Sequence, residues 1–289
     1  MPSRVSVFRN SLNTVSYVAP RLAGRFAFRL FTEPLRRAQV RPKEQEVHAQ
    51  AEVRTLDVNG VDVKTYRWGD GRRLVLLVHG FEARGSSYAT FVRKLSENGF
   101  TVLTYDAPGH GDSGGKGATI LDHRAVIERL HELHGPFEAV IAHSFGVVCS
   151  FFAARDTVKV GRLVAISGVS EFDSLPDAFC AQLALRPAIG QDLRRRTEKL
   201  FLPETDIWRR FSPVHRPEEL TQPILVVHDE GDREVPVEHG RRIADTYGNQ
   251  AKLIITTGLG HRRILVDESV VDSVLEFLTA VRGVNDHEQ

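Results

Sequence analysis

The sequence predicts an α/β protein: a mostly parallel eight-stranded sheet with helices on both faces and an inserted helical cap. Three observations predict it. Short apolar runs alternate with segments of helical length and pattern, a rhythm that layers a parallel sheet between helices. The first of these β-rich stretches contains an Asn-Gly pair, which signals an antiparallel hairpin at the start of the series. One gap, between "VAISG" and "PILVV", is far too long for a simple crossover and carries its own helical pattern.

Taken in order, residues 1–45 stand apart. From Val15 to Phe31, apolar residues recur at helical spacing (Val15, Val18, Leu22, Phe26, Leu30), and Arg21, Arg25 and Arg29 form a basic stripe four residues apart. This predicts an amphipathic helix starting near Pro20, where a first-turn proline is tolerated. Its apolar face is expected to pack on the body. The competing reading is peripheral membrane contact through residues 15–31. "RPKEQEVHAQ" follows as a polar linker. The hairpin "EVRTLDVNGVDVKTYRWG" comes next, then the buried-strand runs "RLVLLV", "FTVLTYD", "FEAVIAHS", "RLVAISG", "PILVVHDE" and "AKLIITTG". "SSYATFVRKLSENG" and "LDHRAVIERLHELHG" are two of the helices between them. The expected organisation is a helix and linker over 1–50, a core over 51–168 and 223–289, and a cap over 169–222 with helical pieces near 174–185 and 189–201.

Composition narrows the functional classes. The 42% hydrophobic content of the 289 residues supports a sizeable core. The net charge of +1 hides an asymmetry: residues 1–43 hold nine Arg or Lys against one acid, Glu33, so that segment is +8 and the rest sums to −7. An acidic body argues against nucleic acid as a partner. Two cysteines, Cys149 and Cys180, make no disulfide framework and fit a reducing cytoplasm. No run approaches the ~18 apolar residues of a membrane span, and the N-terminus lacks the apolar core and cleavage site of a secretory signal.

The chemistry gathers where strands end. "AHSFG" at 142–146 follows a strand and precedes a helix, so Ser144 sits on a tight turn at the carboxyl edge of the sheet. Such a turn needs small flanking residues. Gly146 supplies one, and Ala142 stands where a glycine is usual. A serine hydroxyl needs a base, and the base needs an acid to orient it. "PILVVHDEGDREVP" offers Asp229, Glu230, Asp232 and Glu234 after one strand, and "LIITTGLGHRRIL" places His261 after the next. Beyond that strand the only other histidine is His287, in a polar tail.

With these residues in hand, the sequence resembles the α/β-hydrolase superfamily over roughly residues 52–283, and within it the bacterial serine esterase-like members. "HGF" at 79–81 is similar to the family's oxyanion loop, "DAPGHGDSGG" at 106–115 to its D-x-P-G-x-G-x-S turn, and "AHSFG" to its nucleophile elbow. "GDREVP" and "GLGHRRI" resemble its acid and histidine loops. The resemblance implies Ser144 as nucleophile and His261 as general base. It implies Asp232 as the acid, because D-x-x-V-P fits Asp232 with Val235-Pro236, and leaves Asp229 second. It also implies backbone N–H groups of Phe81 and Phe145 as the oxyanion hole, with Glu82 as a loop anchor.

Other patterns carry less. Gly109 to Gly114 spells G-x-G-x-x-G, but no acid follows at a second strand end, as a dinucleotide site requires. His131 and His134 lack a third metal ligand, and Arg194, Arg195 and Arg196 are balanced by neighbouring acids. The expectation is therefore a cofactor-free, metal-free hydrolase acting on a small-molecule ester through an acyl-enzyme. Thioester and C–C bond hydrolysis, perhydrolysis, a membrane-surface lipid hydrolase and a non-catalytic relative are the alternatives.

Overall fold

A computed structural model describes residues 12–280; Arg4, Arg9 and His287 lie outside that range. The eight strands are β1 (Glu52–Val58), β2 (Val61–Trp68), β3 (Leu74–Val78), β4 (Thr101–Tyr105), β5 (Ala139–His143), β6 (Leu163–Ile166), β7 (Ile224–Asp229) and β8 (Ala251–Thr256). They form one sheet in the order β1-β2-β4-β3-β5-β6-β7-β8. The β1–β2 and β2–β4 pairs are antiparallel and the other five are parallel. Asn59 and Gly60 both hold positive φ, 55° and 78°, as the turn between β1 and β2 requires.

Successive residues of a strand face opposite sides, and β3 shows the result. Leu76 and Val78 join the core under helices α4 (Ile120–His134), α5 (Phe145–Asp156) and α9 (Val237–Tyr247). Val75 and Leu77 join the core under α3 (Ala89–Glu97) and α11 (Glu268–Thr279). All five residues of β3 are buried, which explains an apolar run with no polar alternation. The strand order reverses between β3 and β5, opening a crevice at their carboxyl ends.

Between β6 and β7 lie α6 (Ser174–Gln182), α7 (Pro187–Leu200) and the single turn α8 (Ile207–Arg210), close to the helical pieces expected there. Arg194, Arg195 and Arg196 pair with Asp177 and Asp192 on this layer.

The N-terminal segment departs from expectation twice. First, α1 (Pro20–Thr32) buries its small residues, Ala23, Gly24 and Ala27, against α7; its long apolar side chains Leu22 and Phe26 face outward, as does Val18 just before the helix. A side chain larger than alanine cannot fit between two helices this close, so the small face, not the stripe of large apolar residues, sets the packing. Second, "RPKEQEVHAQ" is not a polar linker. It forms a helical turn and α2 (Gln45–Ala49), held by polar contacts that hydropathy does not register. Glu44 is buried and accepts from Ser86 Oγ at 2.7 Å, and the Val47 carbonyl accepts from Trp68 Nε1 at 2.8 Å.

A buried ionic hub ties this region to the sheet. Arg84 lies 3.0 Å from Asp106 Oδ2 and 2.5 Å from Asp112 Oδ2, and Tyr66 donates its hydroxyl to Asp106 at 2.9 Å. Asp106 also accepts the amides of Gly85 and Asp112. Removing one partner of such a buried pair strands the other charge. Asp106→Ala is therefore expected to lower unfolding free energy by about 3–5 kcal/mol, read as a fall in the urea midpoint with little change in slope; an unchanged midpoint contradicts it.

Candidate active site

Ser144 stands between β5 and α5 with φ at 55°, a backbone conformation rare for a residue with a side chain. Neighbouring backbone holds it there. Its amide donates to the Ile166 carbonyl at 3.0 Å. A Cβ on Gly146 would lie 2.3 Å from the Val78 carbonyl oxygen, so only glycine lets α5 approach β3 this closely. Ala142, by contrast, is a buried strand residue in register with Val78 and Ala165, and its methyl sits among core side chains. The demand for a bare backbone falls at position 146 and not at 142, which is why alanine is accepted there.

Among the four candidate acids, the geometry separates two roles. Asp232 Oδ2 lies 2.8 Å from His261 Nδ1, and its Oδ1 accepts the amides of Glu234 and Val235 at 2.9 Å. Burial opposes the charged carboxylate, but the His261 bond and these amides outweigh it and hold Asp232 below the usual carboxylate range. Asp229 faces elsewhere. It accepts from Thr256 Oγ1 and from the amides of Leu259 and Gly231, each at 2.9 Å, and so shapes the loop that carries His261. Glu230 is exposed. Glu234 Oε2 comes to 3.8 Å from His261 Nε2 and is paired with Arg262.

Two histidines that sequence reading left without a role act on this backbone. His143 Nε2 lies 2.7 Å from the His261 carbonyl oxygen, which only accepts, so His143 donates and fixes the main chain of His261 from the residue before Ser144. His79 Nε2 accepts the Ala107 amide at 3.0 Å, so its Nδ1 carries the proton and donates to the Gly80 carbonyl at 2.8 Å. That carbonyl and the Phe81 N–H belong to one trans peptide and point in opposite directions. His79 thereby sets the direction of the Phe81 N–H, while the Gly80 Cα rests against Ser144. Phe145 is the first residue of α5, so its N–H has no partner within the helix. The only sequence signal for these roles is position: His143 ends the buried strand β5 and His79 directly follows the buried strand β3. Glu82, expected as a loop anchor, does anchor: its Oε1 accepts the Leu35 amide at 3.1 Å.

Two cavities meet at Ser144 and His261. One, about 460 Å³, is mostly apolar, walled by Phe81, Phe145, Phe172, Leu175 and Phe179 together with Phe31 of α1. The other, about 500 Å³, mixes Leu30, Leu35 and Leu265 with Arg41, Glu82 and Glu234. A larger polar cleft of about 820 Å³ beside α8 contains none of Ser144, Asp232 or His261. Cys149 and Cys180 are both free thiols. No group of three or more metal-ligating side chains occurs among the described residues, and no helix there is long and apolar enough to cross a membrane.

Comparison with known proteins fits this geometry. A family described as "alpha/beta hydrolase fold" matches residues 73–203, and one described as "TAP-like protein" matches residues 206–285. The human protein ABHD12B is 27% identical over 256 residues, 80% of this chain and 68% of its own. A monoacylglycerol lipase of Mycolicibacterium smegmatis is 26% identical over 251 residues, 73% of this chain and 89% of its own. Among solved structures, the Pyrococcus furiosus esterase Pf2001 superposes with a TM-score of 0.63 at 19% identity, covering 86% of this chain and 97% of that one, a likeness of fold.

The buried imidazoles make an acid-stability prediction. Burial, with the nearby His110, lowers His79 to about 4, and burial, with the nearby His261, lowers His143 to about 3. Unfolded, both take a proton as pH falls through about 6.5; folded, both stay neutral. Protons then favour the unfolded chain, so stability falls with pH between about pH 6 and pH 4, approaching about 1.4 kcal/mol per pH unit for each histidine. Urea titrations across that range read the slope; a flat profile contradicts the assignment.

Proposed function

The chain belongs to the α/β-hydrolase superfamily, and on that premise we propose that it is a serine hydrolase cleaving carboxylic esters through an acyl-enzyme. The observation that carries this reading is the 2.8 Å contact of Asp232 with His261, at the meeting point of two cavities that both contain Ser144. Ser144 Oγ attacks the ester carbonyl carbon, and His261 Nε2 takes its proton. Asp232 holds the ring so that Nε2 is the basic nitrogen and steadies the imidazolium that forms. The N–H groups of Phe81 and Phe145 receive the developing oxyanion, each worth about 3 kcal/mol in the transition state. His261 then protonates the departing alcohol. Water enters, gives its proton to His261 and attacks the acyl carbon, and the carboxylic acid leaves as Ser144 is restored.

The division of the site supports an ester with unequal halves. The aromatic cavity suits an apolar acyl chain, and the mixed cavity, with Arg41, Glu82 and Glu234, suits a polar alcohol. The names of the relatives, a monoacylglycerol lipase and an esterase, agree with ester chemistry.

A panel of p-nitrophenyl esters of graded chain length tests the proposal. Turnover is expected in the native protein and loss of it in Ser144→Ala; hydrolysis that survives in Ser144→Ala ends the mechanism. A native protein that ignores oxygen esters but cleaves acyl thioesters moves the reading to a thioesterase on the same residues. Asp232→Asn is expected to lower kcat by about 10³–10⁴. Asp229→Asn, which loosens only the loop, is expected to cost far less, and the reverse order overturns the choice of acid.

A further inference from the structure

The N-terminal helix presents a face that nothing in the described fold covers. Because α1 packs through Ala23, Gly24 and Ala27, its Leu22 turns outward, 59% exposed, and Val18, just before the helix, is 88% exposed. The contact is close: a Cβ on Gly24 would lie 1.8 Å from Asp192 Oδ2, the oxygen that pairs with Arg196. The chain leaves helical geometry at Ala19 (φ −137°, ψ 69°), between Val18 and Leu22, and Arg21 and Arg25 flank Leu22 on α1, exposed and without an ion pair among the described residues. Residues 12–72 lie outside both family matches.

The site opens toward the same apolar relief. Leu30 and Phe31, at the end of α1, wall the two cavities. Other exposed large apolar residues sit on those cavities as well: Leu200 on the aromatic one, Leu35 and Val266 on the mixed one. Charge agrees with this arrangement. Residues 12–43 hold seven Arg or Lys against Glu33, three of them (Arg21, Arg25 and Arg29) on α1, while residues 44–280 sum to −6, so the positive charge of the described residues gathers in the segment of the helix. An anionic surface attracts that segment and repels the rest, which orients the molecule as it docks.

We propose that the exposed apolar side chains of Val18 and Leu22, at the N-terminal end of α1 and flanked by Arg21 and Arg25, dock this protein onto an anionic lipid bilayer and so present the cavities at Ser144 to acyl chains leaving that bilayer. Apolar side chains enter the headgroup boundary while the arginines meet lipid phosphates, as in an interfacial amphipathic helix. The choice of substrate rests on the ester hydrolase reading above; the docking does not.

Vesicle flotation tests the docking without any chemistry. Full-length Ser144→Ala protein is mixed with vesicles of phosphatidylcholine alone or with one-third phosphatidylglycerol. Binding is expected only to the anionic vesicles and is expected to weaken as salt rises. The double variant Val18→Ser, Leu22→Ser is expected to bind about tenfold less, and Arg21→Glu, Arg25→Glu likewise. Both pairs of changes, made in the chain that keeps Ser144, should leave turnover of water-soluble p-nitrophenyl butyrate unchanged, which shows that the fold survives. Absence of binding, or equal binding to both vesicle types, overturns the proposal. So does concentration-dependent dimerisation that Val18→Ser, Leu22→Ser abolishes, because the face then serves a second copy of the chain. If docking occurs but no ester is cleaved, the docking stands and the ester reading fails.

Discussion

The site depends on how closely the start of α5 approaches the end of β3. Gly146 brings helix backbone against the Val78 carbonyl, within a distance that forbids any side chain. To reach that position the chain must turn sharply after β5, and Ser144 takes up the turn at positive φ. The turn places the hydroxyl where two cavities meet and leaves the first amide of α5 without a helical partner. The same closeness brings Gly80 against Ser144, so the loop after β3 has to run beside the hydroxyl. One steric constraint thus sets both sides of the candidate site at Ser144.

Around that turn, orientation comes from buried neutral imidazoles. His79 holds a peptide plane and His143 holds the main chain of the histidine loop, each with a single donated hydrogen bond. An imidazole serves here because it offers one donor on a rigid ring and, when buried, sheds its charge. Asp229 completes the arrangement by accepting from the Thr256 hydroxyl at the end of β8, from the Leu259 amide in the loop that follows, and from the Gly231 amide of its own loop. The loops at this edge are therefore fixed by buried side chains that bond to backbone groups.

The parallel sheet, its hairpin and the long insertion were readable because each leaves a periodic trace: continuous apolar runs, an Asn-Gly turn and an overlong gap. Order along the chain maps onto strand ends in this topology, so Ser144 and His261 could be proposed by slot, whereas Asp232 was singled out from four neighbouring acids only by its resemblance to the D-x-x-V-P pattern. What escaped was set by contacts without period. The helix pattern of Val18, Leu22 and Phe26 does not reveal that Ala23, Gly24 and Ala27 form the tighter surface. The polarity of Lys43 to Glu46 hides a carboxylate, Glu44, that is buried against Ser86. His79 and His143 matter through backbone atoms, whose partners no residue spacing encodes.

The N-terminal segment bridges parts of the molecule that are distant in sequence. Its helix rests on α7, the Arg37 guanidinium reaches the carbonyls of Gly111, Ser113 and Gly115, and Leu35 is tied to Glu82. It thus ties α7 to the loops after β3 and β4, beside the cavities at Ser144 that Leu30 and Phe31 line. A chain trimmed to the stretch recognised as hydrolase, beginning near residue 73, would keep Ser144, Asp232 and His261 yet lose β1, β2, this tie and the two walls that Leu30 and Phe31 provide. For this molecule the boundary of the family and the boundary of the binding site are different lines.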